Sequence, residues 1–583
     1  MKTNRVACAI ALTLAVYAAI HSFCVGAFYF SMDDLEELAH VRSMKSWWML
    51  FGVDVFSLFR PIKNLLFALF ASIGDEHVVV SRSVAIVIGM ATYFPVLLFF
   101  RRVFSSAAPA LAAAAVYLLA PTQVSCIAWL SCVNIQLMAG FATMALILHD
   151  DGKYVKASVL YLLACCSYEC AITLPGVMLL VDLMLRPGRF SFRRWSSARP
   201  YVLYAVAGGS YLAVRALLCG LNSLNGSFPC DTVRSQIAFA SASFLRDLLF
   251  NWVWPFGRMA VVGYFSPWIA NTIELWACWL IPVALLAMAL FCIRRRPIVS
   301  FGILVFFVGY LPVSNITGIG NGPYGDYYLA FGGLGLAIAY VEIVRWCIAS
   351  CRCRYLCLAI AVVMIGVRAF AIPESARYAY AWSDDTLAHG NSVKTFPHAI
   401  NSYFLLLKSM ARKNGISSIG DALNDNSLER ELDAAHEGKS LFYLLKSLYA
   451  GNVKKEYQEA VDMIERYKEA LPFSNRGLAW YHYYKGCLLE DLGNDLDAAG
   501  VEYLKAIEAE KPWRASAVYF DRAARYVAIK GDVHRAIDLW RQALFWDDSI
   551  ATAHFNISIA LEQVGEKDEA MLHRQRAQEL SAR

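Results

Sequence analysis

The stretch Val6–Phe30, VACAIALTLAVYAAIHSFCVGAFYF, runs without a charge into Ser31-Met32-Asp33-Asp34. About 25 residues in a helix exceed the roughly 30 Å needed to cross a hydrocarbon core. Lys2 and Arg5 precede the stretch as they would a secretory signal, but no small-residue cleavage site follows it. It reads as an uncleaved first span. Two adjacent carboxylates at the exit of a span, followed by Arg60-Pro61 and Lys63, are unusual chemistry for a membrane surface and point to a reaction there.

The rest of the chain supports a membrane setting. Of 583 residues, 58% are hydrophobic and 17% charged, against about 45–50% and about 25% in soluble domains. The apolar excess lies before residue 372. The net charge of +6 sits in short basic clusters between apolar runs with no nucleic-acid motif beside them, so it reads as topology-setting charge and excludes a nucleic-acid partner. No inverted repeat or Gly/Pro-broken pair of spans suggests a transporter. Many of the 16 cysteines lie in apolar runs, where they act as small hydrophobes. Cys347, Cys351, Cys353 and Cys357 lack a nearby His and the spacing of a zinc site. Cys219 and Cys230 flank an outward loop and could form a disulfide.

Further apolar segments fall near 78–100, 107–121, 128–148, 157–168, 171–185, 201–219, 273–293, 298–313, 327–346 and 355–371. Basic clusters stand at alternate junctions: Arg101-Arg102, Lys153/Lys156, Arg186/Arg189/Arg193/Arg194, Arg294-Arg295-Arg296 and Arg352/Arg354. Placing them all in the cytoplasm satisfies the positive-inside rule, with the amino terminus also inside. About eleven passes result, and the carboxyl-terminal domain shares the extracytoplasmic face with Asp33-Asp34. Residues 157–185 are too few for two full spans and have basic residues at both ends. A short hairpin turning at Ser167-Tyr168-Glu169 fits, and it carries an ionisable group to membrane depth, where such groups are functional candidates. Trp47-Trp48 and Trp252/Trp254 belong to the interfacial aromatic belt, and the aromatic loop Trp252–Trp268 could also stack against sugar.

After Ile372 the chain turns polar. Residues 373–439 read as a linker with irregular helices, and 440–583 as a helical solenoid with a period near 34 residues. Gly531, Ala536, Trp540 and Ala543 are matched by Gly565, Ala570, Arg574 and Ala577; an earlier copy reads Gly486, Gly493, Ala499, Tyr503, Ala506 and Pro512. This resembles tetratricopeptide repeats, with three copies and a degenerate one at 440–472. Such a solenoid offers a concave face for peptide or protein segments. The expected fold is therefore all-α: about eleven spans in residues 1–372 followed by a repeat domain.

An inverting glycosyl transfer needs a base for the acceptor proton and cations for the departing phosphate. A carboxylate in the first outward loop can meet a sugar on a polyprenyl phosphate, and arginine suits bidentate pairing with phosphate. The chain presents, in order, Phe30-Ser31-Met32-Asp33-Asp34, then Phe59-Arg60-Pro61-Ile62-Lys63-Asn64-Leu65-Leu66-Phe67. Ala120-Pro121 with Ala128-Trp129 follow, then Ser167-Tyr168-Glu169 with Leu174-Pro175 and Val181-Asp182, and finally Asp326-Tyr327-Tyr328-Leu329. In this order and topology the chain resembles the GT-C superfamily of membrane glycosyltransferases. Within it, the similarity is to the transmembrane and tetratricopeptide-repeat O-mannosyltransferase group and its bacterial relatives, over almost the whole membrane region and the repeats.

The resemblance implies membrane helices with long outward loops, a cavity open to the outer leaflet and a polyprenyl-phosphate-linked sugar donor. It implies that one of Asp33 and Asp34 is the base, with Asp34 marginally preferred. The partner carboxylate, Asp33, would hold a divalent cation (Mg or Mn) or orient the acceptor. Arg60 and Lys63 would contact phosphate, Glu169 would shape or charge the cavity, and Tyr168, Asp326 and Tyr327 complete the substrate-binding set. The repeats would bind a protein or glycan acceptor, and membrane lipid surrounds the rest. The chain departs from the group in having Tyr168 before the hairpin Glu where relatives carry Lys. It has Ser125 and Asn134 where they carry Glu and Arg, and Asp326-Tyr327 where they carry Arg-Tyr. A non-catalytic membrane scaffold that assembles an envelope or secretory complex through its repeats is the alternative. The short repeat tail favours a bacterial inner membrane over the endoplasmic reticulum.

Overall fold

The computed structural model describes residues 2–25, 33–74, 77–190, 195–219, 241–254 without 243 and 247, 272–314, 316, 325–349, 354–384, 386–387, 389–390, 400–416, 419–425, 430, 439–470, 475–491, 495–509, 517–548 and 550–581. Among them the chain is helical throughout, with no strand. Contacts divide it into one unit built from residues 1–227 and 238–399 and another containing Ile400–Arg583. Phe30, Ser31 and Met32 of the acid-pair motif, Cys230, Cys351, Cys353, Gly493, Pro512 and positions 255–268 of the aromatic loop lie outside the described residues.

The first unit contains α1 (Lys2–Ser22), α2 (Asp33–Ser43), α3 (Pro61–Ile73), α4 (Val78–Phe104), α5 (Ala107–Leu118), α6 (Ser125–Ala128) and α7 (Val133–Asp150). These are followed by α8 (Tyr154–Ser167), α9 (Leu174–Leu180), α10 (Trp195–Cys219), α11 (Thr272–Arg295), α12 (Pro297–Tyr310), α13 (Leu329–Ala349) and α14 (Arg354–Ala381). Among the described residues, seven helices are long and apolar enough to cross a membrane, or eight if the bent pair α5 and Pro121–Ala128 counts as one span. The sequence reading expects about eleven. The later apolar segments are helical where it places them, but the first, expected over Val6–Phe30, is helical only to Ser22, with 26–30 outside the described residues; Tyr154–Ser167 and Pro297–Val313 are short, and the 107–121 segment bends by 59° after Leu118. Pro121 accounts for the break, because a ring at that position removes a helix donor and disfavours helical geometry in the residue before it.

The stretch 157–185 doubles back as expected. Helix α8 ends at Ser167, a 3-10 turn covers Glu169–Thr173, and α9 leads into a π turn at Val181–Leu185. Arg186 at its exit donates to both oxygens of Asp150 at 2.9 Å, immediately before the hairpin begins. Both feet of the hairpin therefore stand together, and Glu169 is at its tip. Helices α12 and α13 pack with backbones nearly touching: a Cβ on Gly302 would lie 2.7 Å from Ala339 N, and one on Gly309 would lie 2.9 Å from Gly332 N. This is the small-residue packing by which helices associate where lipid supplies no hydrophobic drive.

Helix α14 corrects the linker boundary. It continues past Ile372 and through Pro373 to Ala381. The polar residues that suggested a linker are satisfied inside the unit: Ser375 Oγ donates to Ala371 O at 3.0 Å and Tyr378 donates to Asp326 Oδ2 at 2.9 Å.

The second unit holds α15 (Ile400–Lys413) and α16 (Ile419–Asn424), then four helix pairs. They are α17 (Lys439–Tyr449) with α18 (Tyr457–Ala470), α19 (Asn475–Asp491) with α20 (Leu496–Ala509), α21 (Ala517–Ile529) with α22 (Val533–Trp546), and α23 (Ala551–Val564) with α24 (Lys567–Ser581). The repeat register has a local cause. Gly531 and Gly565 both take the left-handed conformation (φ +89° and +88°) that ends a helix, and Asp532 caps the next helix by accepting from Arg535 N. Buried alanines at 536, 543, 553 and 560 let the paired helices approach, and Trp540 fills the gap while donating to Asp521 at 3.1 Å.

Candidate active site

Asp33 and Asp34 open α2, where acids complement the helix dipole. Asp34 is fully buried, and its Oδ1 accepts from both Ser131 N (2.8 Å) and Ser131 Oγ (2.7 Å). Ser131 lies in the 3-10 turn Leu130–Cys132 that leads into α7. Asp33 differs in being partly exposed. Burial pushes the Asp33 carboxyl up to about 7 against the pull of Lys63. Burial also pushes Asp34 up to about 6, against the Ser131 hydrogen bonds and the charge of Arg82.

The cations come from the loop before α3. Asp54 Oδ1 accepts from Phe56 N (3.0 Å) and Leu58 N (2.8 Å), folding the loop so that Arg60 and Pro61 start the helix. Proline suits that first position because its missing N–H would find no helical partner there. Arg60 grips Glu169 with two parallel bonds, Nε to Oε2 at 2.8 Å and Nη2 to Oε1 at 2.5 Å, and lies 4.8 Å from the Tyr168 ring centre. Arg215 Nη1 stands 3.8 Å from the same carboxylate. One turn into α3, Lys63 Nζ meets Glu37 Oε1 at 2.5 Å and Asp54 Oδ2 at 3.8 Å. Burial raises the Glu37 carboxyl while the Lys63 charge opposes it.

Tyr327 lies within electrostatic reach of Asp33 and Arg60, and its ring meets Trp129 edge-on at 6.0 Å. Asp326 accepts from Tyr378 Oη at 2.9 Å. Seven of the expected residues therefore converge: Asp33, Asp34, Arg60, Lys63, Tyr168, Glu169 and Tyr327 form one cluster, while Asp326 is tied to Tyr378. Asn134 donates to Ser167 O at 2.6 Å and so fastens the hairpin tip, while Ser125 is buried.

Five participants were not singled out from the sequence: Glu37, Asp54, Arg82, Ser131 and Arg215. Glu37 falls one helical turn after Asp33 and Asp34. Arg82 and Arg215 interrupt apolar spans, and an intramembrane arginine is itself a signal. Arg82 Nη1 donates to Ala128 O at 2.6 Å, placing a cation beside the segment that lacks the expected Glu and Arg.

A divalent ion does not fit this donor set. Asp34 Oδ1 is engaged by Ser131, and the Lys63 ammonium stands between Glu37 and Asp54. Among the described residues no group of three or more His, Cys, Asp or Glu is arranged to hold a metal. The cation expected at Asp33 thus finds no set of three such ligands among the described residues, although Asp34 Oδ2 is buried without a hydrogen-bond partner.

The cluster has a defined position in the unit. Helices α4 and α7 both run from it, at Arg82 and Ser131, to Arg102 and Asp150 at their far ends. Eighteen residues of α7 cover about 27 Å at about 1.5 Å per residue, close to one hydrocarbon thickness.

No family model and no curated protein matches the chain. Among solved structures, the crystal structure of the yeast Tom70 matches at 13% identity over 76% of this chain and 92% of that one, with a TM-score of 0.23. A likeness at that level carries no argument about fold or function.

Proposed function

We propose that the first unit is an inverting membrane glycosyltransferase that moves a sugar from a polyprenyl-phosphate donor to an acceptor hydroxyl on the extracytoplasmic face. The repeat domain then selects a protein or glycan acceptor. The observation behind this reading is the convergence of the acid pair with Arg60, Lys63 and the hairpin Glu169, from segments more than a hundred residues apart. The basic end at Arg102, Arg186 and Arg189 would face the cytoplasm, which puts the acid pair on the opposite side. A bacterial inner membrane remains the favoured setting.

In the reaction, the acceptor oxygen bonds to the sugar's anomeric carbon as the carbon–oxygen bond to phosphate breaks. The acceptor proton passes to a carboxylate and the polyprenyl phosphate leaves with the bonding pair. Accessibility favours Asp33 over Asp34 as that carboxylate: a base must reach the hydroxyl, and it works best with a pKa near the working pH. Asp33 is partly exposed and titrates at about 7, whereas Asp34 is sealed against Ser131. Arg60, Lys63 and Arg215 supply positive potential. Glu169 and Glu37 hold them in place until a phosphate competes for them.

The test is transfer from a polyprenyl-phosphate-linked sugar by purified chain, comparing wild type with Asp33→Asn and Asp34→Asn. Loss confined to Asp33→Asn supports the assignment, and equal activity in all three ends it. The scaffold reading draws on one observation: the cations Arg60 and Lys63 already have carboxylate partners. It expects normal complex assembly in a double Asp variant and loss only on deleting residues 440–583.

A further inference from the structure

Between α2 and α3 the chain makes a short 3-10 helix, Trp47–Phe51, of sequence WWMLF, in which no residue is buried. Trp47 is 71% exposed and Trp48 63%, with Met49 and Phe51 also exposed. An apolar turn held out in this way would ordinarily be a liability on a protein surface. It is firmly held nonetheless. The buried Asn64, in the first turn of α3, donates through Nδ2 to Leu50 O at 3.1 Å, Val53 O at 3.3 Å and Gly52 O at 3.4 Å. His40 Nε2 adds a contact to Val53 O at 3.1 Å. Within the turn, Trp47 meets Trp48 and Phe51 edge-on at 6.1 and 6.2 Å.

We propose that the Trp47–Phe51 turn is a rigid lipid anchor, seated in the headgroup layer at the active-site end of the unit, and that it fixes the mouth of the charged cluster at the level where a lipid-linked phosphate travels. Four observations favour lipid as the occupant. Among the described residues, the same unit carries seven apolar helices long enough to cross a membrane. Leu65 and Leu69 on α3 are exposed too, so the apolar surface continues from the turn onto a helix. Asn64 belongs to the same first turn of α3 as Lys63, which places the anchor at the cluster's end of α4 and α7, at interfacial depth. Tryptophan is the residue favoured at that depth. The exposed Lys45 just before the turn complements anionic headgroups.

The connection to the site is short and stiff. Two residues after Gly52 comes Asp54, whose side chain folds the loop and faces Arg60 and Lys63, each at 3.8 Å. A shift of the anchor relative to the bilayer therefore moves the cations with it. The capture of a lipid-linked donor rests on the glycosyl-transfer reading; the anchoring itself does not.

The experiment places a photoreactive benzoylphenylalanine at Trp48 or Phe51 of the full chain, in nanodiscs of phosphatidylcholine and phosphatidylglycerol. Irradiation should add the mass of one phospholipid at either site, while the same group at the buried Leu58 should not. Adducts only to protein, or none, overturn the anchor. In a second arm, Trp47→Ser/Trp48→Ser/Phe51→Ser should raise KM several-fold for a long-chain polyprenyl donor and leave KM for a short-chain soluble donor unchanged. An equal change for both donors overturns the capture role. A wild-type chain that transfers no sugar would end the glycosyl-transfer reading and the capture role with it, and would leave the lipid adduct as the measure of anchoring.

Discussion

The two ends of the first unit are built from the same chemistry and differ in water. At one end Arg60 and Glu169 pair with side chains only 8% and 6% exposed. At the other, the arginines are the exposed partners: Arg102 (39% exposed), Arg186 (35%) and Arg189 (29%) converge on Asp150, itself 7% exposed, and Arg102 also meets Asp151, 27% exposed. Exposed pairs are worth about 0–1 kcal/mol because water and ions screen them. Buried pairs cost desolvation to form, and breaking one partner costs about 3–5 kcal/mol. The exposed end can therefore serve as topology-setting charge with loose geometry. The other end holds its charges out of water, with Asp34 Oδ2 and Glu37 Oε2 buried and accepting no hydrogen bond, and a cluster kept under those conditions is where chemistry is expected.

The largest effect should come from the carboxylate that faces outward. Asp33→Asn should lower transfer by roughly 10²- to 10⁴-fold, the usual contribution of a general base, with substrate binding nearly unchanged. Asp34→Asn should cost far less, since its amide oxygen can still accept from Ser131. A reversed order of the two would make Asp34 the base. Next, Glu169→Gln leaves Arg60 and Arg215 facing an amide where they had a carboxylate. It should destabilise the unit by about 3–5 kcal/mol, read as a lower thermal midpoint in detergent. Unchanged stability would mean that the hairpin tip is held by packing alone.

Much of this was legible beforehand. The apolar segments, the doubling back at Ser167–Glu169 and the 34-residue register follow from charge spacing and from glycines that only a left-handed turn explains. The acid pair is located by the sequence, but its marginal preference for Asp34 gives way to Asp33 in the proposal, because nothing in the letters Asp33-Asp34 says that Ser131, almost a hundred residues later, bonds to the second. Arg82 and Arg215 draw no notice in the sequence, since their partners, Ala128 and Glu169, come from distant segments. The polar turn of the sequence after Ile372 suggests a linker, but Ser375, Tyr378 and Trp382 find partners inside the unit at Leu119, Asp326 and Trp129.

The pH response should sharpen the contrast between the ends. Asp33 and Asp34 are raised from 3.8 to about 7 and about 6, so the folded chain binds more protons than the unfolded one between about pH 4 and pH 7. Stability should fall as pH rises through that window and level off above it. Asp33→Asn should flatten the slope, as followed by thermal unfolding at stepped pH. Transfer should show the opposite trend, rising through about pH 7 as Asp33 ionises. At the exposed end the sign reverses: hydrogen bonding by Arg102 lowers Asp151, so what that pair contributes is present above the unfolded pKa and lost as pH falls below it.

The smallest effect should come from Arg102→Gln. The guanidinium donates to Asp150 at 3.1 Å and Asp151 at 2.6 Å, but Asp150 retains Arg186 and Arg189, so no carboxylate is left buried and unpaired. The change should stay within about 1 kcal/mol and should shrink between low and high salt, because at a Debye length of about 3 Å in 1 M salt an exposed pair is mostly screened. The loss caused by Glu169→Gln should change little between the two salt concentrations, since the Arg60 and Glu169 side chains are only 8% and 6% exposed and salt screens a buried pair far less. If the two variants responded alike to salt, water would reach both ends equally. The reason for treating Arg60, Lys63 and Glu169 as more than a second surface cluster would then be gone.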